Sequence, residues 1–80
     1  LLDRARAAIA HANYAEAIAM LRQHARHFAH GSLAEERDAM WILALVRSGT
    51  RPTRRAATFR RRYPQSIYLQ AIDTELNKKR

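Results

Sequence analysis

The chain is predicted to be all-α, and three observations carry that expectation. Ala, the strongest helix former, supplies about a fifth of the 80 residues. Gly and Pro occur only twice each, at places where helices would stop or start. Apolar residues recur at three- and four-residue spacing, the stripe of an amphipathic helix.

The first helix covers about residues 1–12, with Leu1, Ala5, Ala8, Ile9 and Ala12 on one face. Asn13 offers a side-chain acceptor to the next helix start, and Glu16 stands at capping-box spacing from it. The second helix carries the stripe Tyr14, Ala17, Ile18, Leu21, Ala25 and Phe28 and stops near Ala29, where Gly31 is able to take positive φ. Ser32 and Glu35 form a second capping box, opening a third helix that runs to about Ser48 and is ended by Gly49. Its middle, Met40 to Val46, is apolar all round, so it needs neighbours on more than one side and belongs at the centre of the domain.

Pro52 suits the first turn of a fourth helix, capped by Arg51 or Thr50 and closed at Tyr63 by Pro64. Within it Ala56, Phe59 and Tyr63 share one face, whereas Arg54, Arg55, Arg61 and Arg62 lie opposite. Arg60 flanks the apolar stripe, with its stem packed and its head in water. A last helix, capped by Ser66, carries Ile67, Leu69, Ile72 and Leu76, and Tyr68 is able to join that face. Residues 1–80 are therefore expected to form a single domain: one helix pair over 1–31, a second over 32–64, a capping helix over 65–77 and a frayed basic tail over 78–80. A chain of this length leaves no room for a two-domain enzyme with an interdomain cleft.

The net charge of +8 is unevenly distributed. Through Val46, Arg4, Arg6, Arg22, Arg26 and Arg37 balance Asp3, Glu16, Glu35, Glu36 and Asp38. From Arg47 onward ten bases face only Asp73 and Glu75, so the whole excess lies in the C-terminal part. Such asymmetry points to a polyanionic partner. The absence of Cys excludes disulfides, thiolate catalysis and Cys-ligated zinc. The longest uncharged stretches fall far short of the roughly 20 apolar residues of a membrane helix. A chain that starts with Leu, with no signal segment before it, is expected to be an excised or processed fragment.

An internal repeat is also visible. The segment from His27 to Ser32 returns about 35 residues later as Arg62-Tyr63-Pro64-Gln65-Ser66, each time closing a helix with an aromatic residue and introducing Ser before the next. On these residues, and on Asn13-Tyr14-Ala15-Glu16-Ala17-Ile18 at the turn into the second helix, the chain resembles the tetratricopeptide repeat family. The second segment is similar to the Tyr-Pro-x-Ser closure of bacterial cell-envelope members. Ala12 and Ala29 stand where that family often has Gly and Pro, and Thr53, Arg54 and Arg55 replace its Glu-Ala signature. The resemblance implies a short α-solenoid of about two repeats plus a capping helix. It also implies non-catalytic protein–protein interaction, as the domain of a larger protein of the bacterial periplasm, cell envelope or regulatory apparatus.

His11, His24, His27 and His30 invite a metal hypothesis, because His24 and His27 are one helical turn apart. A site needs three or four converging ligands, and no carboxylate shares their face at suitable spacing, so no metal is expected. No nucleophile is paired with a base and no two carboxylates are set for acid–base work; Ser32, Ser66, Glu16 and Glu35 are accounted for at helix starts. Neither an enzymatic activity nor a cofactor is expected. The sharpest signal is Arg47, Arg51, Arg54, Arg55, Arg61 and Arg62, a segment with no acid between Asp38 and Asp73, whose fields add. Its expected partner is an acidic protein or peptide surface. The alternative is a small basic nucleic-acid-binding module, which would want exposed rings to stack on bases, and here only Tyr68 is a candidate. Leu1, Leu2, Ile72 and Leu76, at the ends of a short stack, are expected to stay partly exposed and to offer a route to self-association.

Overall fold

The computed structural model describes residues 2–31 and 33–78. All regular structure among them is helical: α1 (Leu2–Ala10), α2 (Tyr14–His27), α3 (Ala34–Arg47), α4 (Thr53–Arg62) and α5 (Leu69–Lys78). The expected helix starts at Ser32 and the expected placements of Leu1, Lys79 and Arg80 lie outside the described residues.

Helix α3 packs against all four other helices, as its uniformly apolar middle requires. Its two sides serve two clusters. Ala39, Ile42 and Val46 meet Ala56 and Phe59 of α4 and Ile72 of α5, with Leu43, Tyr63, Tyr68, Leu69 and Leu76 packed around them. Met40 and Trp41 meet Leu2 and Ala5 of α1 and Leu21 of α2, flanked by Ile9, Ile18 and Leu45. The core is thus continuous through α3, with one lobe on each side.

The connections repeat in detail. Helix α1 ends in a Schellman motif: Asn13 N–H donates to the Ala8 carbonyl at 2.7 Å and Ala12 N–H to that of Ile9 at 3.0 Å. Ala12 is thereby held at φ +62°, in the left-handed region. Helix α3 ends in the same way, with Thr50 N–H donating to Leu45 at 2.9 Å and Gly49 N–H to Val46 at 3.0 Å, and Gly49 at φ +99°. The residues before α2 and α4 also match, Asn13 at φ −90°, ψ 68° and Pro52 at φ −82°, ψ 60°. So do the residues after them, Phe28 at φ −136°, ψ 58° and Tyr63 at φ −129°, ψ 66°.

Several boundaries depart from the sequence expectation. Asn13 occupies the cap position, but its side chain makes no capping hydrogen bond; its ψ lies outside the β region from which such a side chain reaches the first-turn N–H groups. Pro52, rather than Thr50 or Arg51, precedes the first residue of α4. Helix α2 ends at His27, so Gly31, at φ +147°, shapes the following connection instead of the helix terminus. Ser66 does receive a hydrogen bond from Tyr68 N–H at 3.1 Å, yet α5 begins only at Leu69. Ile67 therefore sits in a turn and is 83% exposed, off the stripe where helical periodicity had put it. Phe28, one residue beyond α2, is likewise 56% exposed. Leu2 and Ile72, expected at exposed ends, are buried, and Leu76 is half-buried. No helix among the described residues is long and apolar enough to cross a membrane.

Candidate functional site

The arginines separate into those that tie the fold together and those that do not. Arg37 falls on the α3 face shared by Ala34, Trp41 and Ala44, and it is only 3% exposed. Its Nε donates to Asp38 at 3.0 Å and its terminal nitrogens to the carbonyls of Phe28 at 2.7 Å and Ala29 at 3.4 Å. It fastens the end of α2 to α3 and satisfies backbone acceptors that no helix provides for. Arg6 pairs with Asp3 and Glu36, linking α1 to α3.

On the other lobe, Arg47 donates from Nε and a terminal nitrogen to Glu75 at 3.3 and 3.1 Å, and Arg60 pairs with Asp73. Both acids of the C-terminal part are thus spent in holding α5 to α3 and α4. Of the six arginines expected to form a docking face, Arg47 is engaged in this way, and Arg51 also interacts within the chain. Arg54, Arg55, Arg61 and Arg62 all lie on α4, a helix without a single acid. Among the described residues none of these four is ion-paired to a carboxylate, although Arg61 reaches the Thr58 hydroxyl at 3.3 Å.

The four do not form one uniform surface. Arg55 sits over the Trp41 indole, its guanidinium carbon 4.1 Å from the ring centre. Arg55, Thr58, Phe59 and Arg62 line a cleft of about 300 Å³, opposite Ala25, Ala29 and His30 from the α2 side and Arg37, Asp38, Trp41 and Ile42 of α3. Arg54 and Arg61 do not line it. The contact of Arg55 with the buried Trp41 was not legible in the sequence, which had placed all four arginines opposite the apolar face.

A second, larger cleft of about 690 Å³ opens on the α1–α2 side, where Leu2, Phe28, Leu33 and Ala34 give it apolar walls and Asp3, Arg6 and Glu36 a paired, charged rim. His24 contributes to its lining. This imidazole is 5% exposed, its Nδ1 has no hydrogen-bond partner, and the Phe28 ring lies 5.1 Å away. Burial holds its pKa below the ordinary histidine value, and the nearby Arg37 charge adds to that effect. His11, His27 and His30 are exposed. No group of three or more His, Asp or Glu among the described residues converges as a metal site would require.

The aromatic residues are mostly enclosed. Phe59 is buried against Tyr63 with ring centres 4.9 Å apart, and Tyr68, the expected exposed ring, packs onto the core. Phe28 is strongly exposed but belongs to the larger cleft, away from α4. No family model, curated protein or solved structure matches this chain.

Proposed function

We propose that the chain is a non-catalytic protein-interaction module that docks on an acidic protein or peptide surface through the arginines of α4. The single observation that carries this reading is the set Arg54, Arg55, Arg61 and Arg62, unpaired with any carboxylate among the described residues while the neighbouring acids are consumed inside the fold. Guanidinium groups with unspent donors favour planar carboxylates, and their summed field draws anions toward α4. The burial of Phe59 and the packing of the half-buried Tyr63 and Tyr68 against the core support a protein partner over nucleic acid, because base stacking needs open rings.

A stack of two helix pairs and a capping helix is part of the same proposal. The matched termini at Ala12 and Gly49, and at Phe28 and Tyr63, support a duplicated unit, as does the contact of α3 with both α1 and α5. The test replaces Arg54, Arg55, Arg61 and Arg62 with Glu and compares capture of acidic proteins from a lysate, with helicity checked by circular dichroism. The expected result is loss of capture at unchanged helicity. Undiminished capture would remove the α4 surface from the proposal, and tight, steeply salt-dependent binding to a DNA duplex would replace the protein partner with nucleic acid.

A further inference from the structure

Building on the acidic-partner reading above, we infer that the cleft between α2, α3 and α4 is the recognition pocket of the basic face, and that Arg55 and Arg62 there each receive one carboxylate side chain of an acidic peptide. Residues 55, 58 and 62 stand at i, i+3 and i+7 and so share one face of α4, with the two guanidinium stems about 10 Å apart along the axis. Arg54 and Arg61 precede them by one residue, are turned about 100° away, and miss the cleft.

Stacking prepares Arg55 for this role without using up its hydrogen bonds. The contact is that of a cation over the indole face, with the guanidinium carbon 4.1 Å from the ring centre, and it consumes none of the donors that a carboxylate would use. Among the described residues neither Arg55 nor Arg62 donates to any acceptor. The carboxylate that lines the cleft, Asp38, already accepts from Arg37, whose other nitrogens are committed to the Phe28 and Ala29 carbonyls. Two uncompensated cations therefore face a cleft floored by Trp41, Ile42 and Phe59, and such walls strengthen their attraction for an anion. Because the indole holds Arg55 in one orientation, little side-chain freedom is lost when an anion binds. The same contact occupies a face of Trp41, and Phe59 is buried, so neither of these rings is open to a nucleobase.

Trp41 is the one tryptophan of the chain and lines this cleft, so its emission is a single-site signal there once the fold is shown to be unchanged. The experiment titrates the intact chain with a hexaglutamate peptide, a hexaglutamine control and a short DNA duplex at low salt, by calorimetry and by Trp41 fluorescence. Two charge-matched double variants, Arg55→Gln with Arg62→Gln and Arg54→Gln with Arg61→Gln, are compared after circular dichroism shows both to be folded. Hexaglutamate is expected to bind and to shift the Trp41 emission. Its affinity should fall by about tenfold or more in the first variant and by about threefold or less in the second, the difference between oriented and fully solvated charges. Equal losses in both variants, or an unchanged Trp41 emission, would overturn the pocket while leaving the broader basic face standing. Hexaglutamate failing to bind at all would sink both proposals, and binding of the duplex alone would assign the surface to nucleic acid.

Discussion

The two lobes on either side of α3 use the same residue type to opposite ends. On the α1–α2 side Arg37 is enclosed, bonded to Asp38 and to two backbone carbonyls, and Arg6 bridges two carboxylates. On the α4–α5 side Glu75 and Asp73 are taken by Arg47 and Arg60, and Arg54, Arg55, Arg61 and Arg62 find no acid left within the described residues. Both lobes bury a similar apolar cluster against the central helix. The difference is therefore one of charge supply, and it separates arginine as a fastening from arginine as a surface.

The largest test of that contrast replaces one arginine of each kind. Arg37→Gln should lower stability by about 3 kcal/mol, because Asp38 and the Phe28 and Ala29 carbonyls lose their donor in a buried setting. Arg54→Gln should change it by less than about 0.5 kcal/mol. Urea denaturation of both variants checks this, and similar costs for the two would erase the division between fastening and surface arginines.

A smaller effect is expected from His24, the buried histidine beside Arg37. Its pKa in the folded chain lies below that of the unfolded chain, so below a pH of about 6.5 the unfolded state binds more protons. This residue leaves stability unaffected at higher pH, and stability falls as the pH drops through that value toward the folded pKa, by at most about 1.4 kcal/mol per pH unit. Burial and, after it, the Arg37 charge oppose protonation, with Asp38 partly offsetting them. In His24→Leu this contribution should vanish, which thermal melts at stepped pH would read. An unaltered slope in that variant would place the acid sensitivity elsewhere.

The smallest effect compares the two Schellman ends. Ala12, at φ +62°, should gain about 0.5–1 kcal/mol on replacement by Gly, while Gly49→Ala should lose a similar amount. A Cβ at Gly49 meets nothing within 4 Å, so the loss would be a backbone effect alone. Paired melting curves give the two signs. If both changes moved stability in one direction, the two turns would not be equivalent.

Much of the helical layout was readable before any coordinates. Periodicity placed Leu21 and Phe59 inside, and the apolar run around Trp41 put α3 at the centre. The burial of Arg37 follows from the face it shares with Ala34 and Trp41, but the charge balance counted it only as one base among five. Ile67 was misplaced because its assignment let the helix follow directly on a Ser66 cap, whereas Ile67 and Tyr68 form a turn and α5 begins two residues later, at Leu69, so helical spacing does not govern Ile67. The candidate site was readable only as a list of basic residues. Its sorting into Arg47, held by Glu75, and Arg55, stacked on Trp41, depends on residues 28 and 14 positions apart.

Alone, the order of amino acids determined the helices, their approximate ends and the central place of α3, because helix propensity, apolar spacing and turn residues act over a few neighbouring positions. Only the packing of the helices around α3 decided which guanidinium groups keep their donors free and which histidine is shut away from water. Those outcomes depend on which distant side chains come within hydrogen-bonding or stacking distance, and local spacing does not encode that.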